Sequence, residues 1–92
     1  MAQCLRISFT CDVPTDFLQN IIQKNAKKLH LEGTAEKDGA YAVLIVVCGL
    51  KESIDQFVDI IHTELMKKSA ENIEMEPFIK EKDYRGVFRI IE

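Results

Sequence analysis

Apolar and polar residues alternate from Leu5 to Thr10, with Leu5, Ile7 and Phe9 set against Arg6, Ser8 and Thr10. That alternation predicts a half-buried strand over 5–10. Over 16–30 the period changes: Phe17, Leu18, Ile21, Ile22, Ala26 and Leu29 fall three and four apart, placing one apolar stripe on a helix. Lys24, Lys27 and Lys28 occupy its other faces and its last turn, where cations complement the helix dipole. Asp38-Gly39 stands between two extended segments, 31–36 and 40–48, and predicts a two-residue type I′ hairpin pairing them antiparallel. Ile54, Phe57, Val58, Ile61 and Leu65 return to helical spacing over 52–68. In "NIEMEPFI" Ile73, Met75 and Pro77 alternate with Asn72, Glu74 and Glu76, and the proline predicts an edge strand or strand pairing that ends there. A polar loop at 80–83 and a short closing strand, "VFRII", complete the chain.

The order strand, helix, strand, strand, helix, strand, with a short extra strand, predicts a single α+β domain over 1–92. Its expected architecture is a ferredoxin-like βαββαβ sandwich, an antiparallel sheet of four to five strands with two helices on one face. Within 40–48 the alternation fails, because Ala42, Leu44, Val46 and Cys48 are as apolar as Tyr41, Val43, Ile45 and Val47. Two helices cover only one side of such a strand. The other side, Leu44 and Val46, or else Val43 and Ile45, is a candidate interaction face, including for a homodimer through the open sheet.

Charge and cysteine content then narrow the function. A formal charge of −3 provides no broad basic field, so nucleic acid and anionic membranes are not expected partners. The apolar run 40–48 is about half the length of a membrane span, and "MAQCLRISF" lacks the basic start and long apolar core of a signal peptide. Cys4, Cys11 and Cys48 are odd in number and show no CxxC spacing. They are expected as free thiols in a cytoplasmic protein, with no metal or cofactor. His30 and His62 sit in no ligand or catalytic pattern and are expected at the surface or partly packed.

The loop entering the first helix, "AKKLHLEG", the Asp-Gly turn, the apolar strand and "GLKESIDQFVDII" together resemble the acylphosphatase family over essentially the whole chain. Ala26, Leu29, Leu31 and Gly33 are similar to that family's Ala-x-x-Leu-Gly-Leu-x-Gly stretch, with His30 in place of its first glycine, and Phe57 matches a helix aromatic. The resemblance implies hydrolysis of carboxyl-phosphate bonds. It implies a Gly- and Val-rich loop that wraps phosphate with backbone N–H groups, an arginine just inside the helix on the phosphoryl oxygens, and an asparagine on the second strand orienting water. Such a site works by positioning and charge stabilisation.

An ungapped count from Gly33 puts Gln19 at the arginine position and "VPTDFLQ" over the family's Val-x-Gly-Val-x-Phe-Arg. The asparagine position falls on Ala35, Glu36 or Lys37. The candidate remnant of the anion loop is therefore Thr10, Cys11, Asp12, Val13, Pro14, Thr15, Asp16 and Gln19. Proline removes an N–H, side chains restrict the backbone, and carboxylates repel phosphate. Asp12, Thr15 and Asp16 read instead as caps for the helix. Arg6, Lys37 and Arg85 are the cations left to replace the arginine, without a motif around any of them. The expected function is binding, to a protein or a small ligand, by a domain without acylphosphatase turnover. Hydrolysis through substitute residues and a small-effector regulatory module at a dimer interface are the alternatives.

Overall fold

A computed structural model describes residues 2–14, 16–79 and 85–91. Strand β1 (Ala2–Thr10) leads through a loop to helix α1, which opens as a π-helix, Leu18–Gln23, and continues as an α-helix, Lys24–Lys28. Strands β2 (Glu32–Asp38) and β3 (Ala42–Leu50) follow, then helix α2 (Lys51–Lys67), β4 (Glu71–Phe78) and β5 (Phe88–Ile91). The sheet order is β4-β1-β3-β2-β5. Four strands are antiparallel as expected, whereas β5 pairs parallel with β2, which makes the sheet mixed. From the β4 edge the chain passes to the opposite edge and runs beside β2 in the same direction. The loop expected at 80–83 lies outside the described residues.

The core lies between the sheet and the helices. Ile7, Phe9, Ala35, Val43, Ile45, Val47 and Phe88 point from the strands toward Phe17, Leu18, Ile22 and Ala26 of the first helical segment and Ile54, Phe57, Ile61 and Leu65 of α2. Leu18, Ile22 and Ala26 recur every fourth residue with no three-residue step, a spacing between the turn of an α-helix and that of the wider π-helix. Asn25 Nδ2 donates to Ile21 O at 2.7 Å, and Gln23 Nε2 ties the helix to Phe88 O at 3.1 Å. Proline-bearing β4 is an edge strand, as its sequence requires.

Both helices end in the same way. Leu31 N–H donates to Ala26 O and His30 N–H to Lys27 O, a Schellman closure that places His30 at φ 59°. Ser69 does the same after α2, at φ 56°. The position where the resemblance expects glycine is thus a left-handed one, which His30 occupies. Gly33 is at φ 142° with its Cα against the Val46 carbonyl, where a Cβ would overlap backbone.

Two expectations are corrected. Asp38 pairs with Ala42, so the hairpin closes over Gly39, Ala40 and Tyr41 rather than over a two-residue turn. Only Gly39 of the Asp38-Gly39 pair has positive φ, 81°, which excludes type I′ geometry. The cysteines are not all free: Cys4 and Cys48 face each other across β1 and β3 with Cα atoms 4.1 Å apart and form a disulfide, leaving Cys11 as the free, buried thiol. Register accounts for the bond, since direct cross-strand partners fall within disulfide reach. No described helix is long and apolar enough to cross a membrane.

Candidate functional site

One end of the sheet gathers the elements that the sequence marks as functional. The end of β1, the 11–16 loop, the β2–β3 hairpin, the end of α2 and the start of β4 all meet there. Cys11 N–H donates to Tyr41 O of the hairpin at 2.7 Å, and Cys11 Sγ lies 3.8 Å from Lys68 O. Asn72 Nδ2 reaches Thr10 Oγ1 at 3.5 Å. The loop is therefore fixed to its neighbours from both sides.

Its side chains divide by polarity. Cys11 and Val13 are buried members of the core, and Asp12, Pro14, Asp16 and Gln19 are exposed. Thr15 lies outside the described residues. Two of the loop's potential anion donors are already used: Cys11 N–H on Tyr41 O, and Phe17 N–H on Pro14 O at 3.0 Å. Pro14 has none. A phosphate entering here would meet the carboxylates of Asp12 and Asp16 with these donors turned inward.

The expected capping role of the loop acids is corrected as well. The helix starts at Phe17 with no side-chain cap, and Asp16 Oδ2 accepts instead from Asn20 Nδ2 at 3.0 Å. Asp16 is drawn along the helix by an i+4 amide, and its backbone carbonyl takes the Asn20 N–H at 2.8 Å.

The candidate cations are scattered. Arg6 lies on the helix-free face of the sheet, paired with Glu76 at 2.9 Å and 5.0 Å from the centre of the Phe78 ring. Lys37 is exposed on β2, and Arg85 lies in the turn before β5. Sequence reasoning missed Lys68, whose Nζ stands 5.3 Å from the centre of the Phe17 ring, beside the loop. A lysine one residue past a helix carries no local signal of that contact, because register between α2 and the loop brings them together. Ala35 is buried, Glu36 half-buried and Lys37 exposed, so the three residues of the asparagine position face different surroundings.

Leu44 and Val46 lie on the helix-free face, half-buried, and the alternative pair Val43 and Ile45 belongs to the core. Beside Leu44 a shallow cleft of about 340 Å³ runs between β4 and the hairpin. Among the described residues no group of three His, Cys, Asp or Glu side chains is placed to hold a metal ion.

The sequence model of the acylphosphatase family matches residues 16–90. Among solved structures, an acylphosphatase from Coxiella burnetii superposes with a TM-score of 0.78 at 20% identity, covering 98% of this chain and 93% of that one. An acylphosphatase from Bacillus subtilis covers all of both chains with a TM-score of 0.75 at 19% identity. HypF of T. kodakarensis matches 98% of this chain with 12% of its own length, at 21% identity and a TM-score of 0.75. At these identities the likeness is one of fold. No curated protein sequence matches significantly.

Proposed function

Because this chain belongs to the acylphosphatase family, we propose that it is a member that has exchanged hydrolysis for binding. The observation that carries this reading is the loop ahead of α1. Its Cys11 and Phe17 N–H groups are satisfied internally, Pro14 contributes no donor, and Asp12 and Asp16 set negative charge where a phosphate would sit. An anion cradle needs free N–H groups converging on one point.

The arginine position supports the same reading. The ungapped count puts it on Gln19, an exposed side chain without charge. Arg6 is bound to Glu76 on the far side of the sheet, and Lys68 rests over Phe17. No asparagine stands at 35–37 to orient water.

The test is a titration with inorganic phosphate followed by amide NMR. No saturable shift is expected at Asp12, Val13, Asp16 or Gln19 up to millimolar phosphate. Saturable shifts centred on those amides mean that the cradle survives, and they overturn the reading.

A further inference from the structure

The helix-free face of the sheet is strongly one-signed. Strand register places Glu32, Glu36, Asp38, Glu71, Glu74 and Glu76 on it, against Arg6 and Arg89. Six carboxylates against two guanidiniums exceed the formal −3 of the whole chain, so the rest of the molecule is not acidic. Arg6 is committed to Glu76. Among the described residues no cation pairs with Glu36, Asp38, Glu71 or Glu74.

This acidic face has an apolar, recessed centre. Leu44 lies between Ser8 and Glu36 in the register, and Val46 lies between Arg6 and Thr34. The cleft beside Leu44 is floored by the small residues Ser8, Thr10 and Ala42, and carries Asp38 at one side and Glu74 at the other. An extra residue in β4, marked by the register shift between Ser8 and Thr10, puts Asn72 at φ 55° with its amide on Thr10 Oγ1, where it lines that end of the trough.

We propose that the helix-free face is a docking surface for a basic polypeptide segment, one lysine or arginine side chain of which lies along Leu44 in the cleft between Asp38 and Glu74. The chemistry matches at both ends of such a side chain. Its methylene stem covers half-buried Leu44 while its head stays among carboxylates. A second copy of this chain is the poorer occupant, because face-to-face docking opposes two acidic surfaces. The proposal rests on the reading of the domain as a binding module and names its partner by charge and shape.

The test uses a blocked peptide of alternating lysine and leucine as probe, titrated into the full chain and followed by amide NMR. Shifts are expected at Ser8, Thr10, Asp38, Leu44 and Glu74. The double variant Asp38→Asn/Glu74→Gln should weaken binding about tenfold. Glu52→Gln/Asp59→Asn makes the same charge change on exposed positions of α2 and should leave binding unchanged. Leu44→Thr should also weaken binding, which attraction by net charge alone does not produce. Absence of binding, equal loss in both double variants, indifference to Leu44→Thr, or shifts on the helices each overturn the proposal. So does a dimer in sedimentation that Leu44→Thr dissolves, since the occupant is then a second copy. None of these readouts depends on phosphate binding or turnover, so this proposal can fail while the loss of hydrolysis stands.

Discussion

Gly33→Ala is expected to cost about 4 kcal/mol of stability, enough to leave a domain of this size largely unfolded at moderate denaturant. Two effects add. Residue 33 has φ 142°, a conformation an alanine adopts only under strain of about 1–3 kcal/mol. A Cβ there overlaps the Val46 carbonyl, which belongs to the central strand and cannot rotate away as a side-chain end could. Overpacking of this kind adds about 1–3 kcal/mol. Gly39 serves as the comparison: it too has positive φ, but a Cβ would meet open space, so Gly39→Ala carries the strain alone. Urea denaturation of both variants decides the point. Equal midpoints for Gly33→Ala and Gly39→Ala contradict the packing of β2 against β3.

Reduction of Cys4–Cys48 is expected to lower stability by about 2–4 kcal/mol, because the bond closes a long loop and confines the unfolded chain. The two cysteines are 44 residues apart and join the first and third strands. Cys48→Ala should reproduce the loss and make stability insensitive to dithiothreitol. A thiol count on unreduced, denatured protein should find one reactive group, Cys11. Three thiols together with a midpoint indifferent to reductant contradict the bond.

How much of this was legible in the sequence depended on whether a feature was local. The β1 alternation, the α2 stripe and the edge position of β4 follow from period and from Pro77, and the structure reproduces them. The family resemblance rested on Ala26, Leu29, Leu31, Gly33, the Asp38-Gly39 turn and Phe57, of which Ala26, Leu31, Gly33 and Phe57 are buried, and the matched segment contains them all. What was missed depends on register between distant segments. The disulfide needs the β1–β3 pairing, the parallel β5 needs the crossing to the far edge, and the place of Lys68 over Phe17 needs α2 docked beside the loop. The hairpin differs for a subtler reason: Asp-Gly signals a tight turn, but the register pairs Asp38 with Ala42 and leaves Gly39, Ala40 and Tyr41 as a three-residue loop. At the loop itself, the residue types Asp12, Pro14 and Asp16 are legible in the sequence, but their surroundings are not. Only the structure revealed that Cys11 and Val13 turn inward and that Asp16 engages Asn20 rather than the helix start.

The central claim is that this acylphosphatase-family domain does not turn over acyl phosphates. Losing one preorganised donor to developing negative charge costs about 10²–10³-fold in rate, and on the proposed reading the arginine position holds the uncharged Gln19 and no asparagine stands at 35–37. The direct measurement is steady-state hydrolysis of benzoyl phosphate, corrected for spontaneous decay, by the purified wild type and by Gln19→Arg. Both are expected to stay at the spontaneous rate, because Gln19→Arg restores a cation but leaves Pro14, Asp12, Asp16 and the occupied N–H groups in place. Wild-type turnover above about 1 s⁻¹, the lower end of ordinary enzyme rates, contradicts the account.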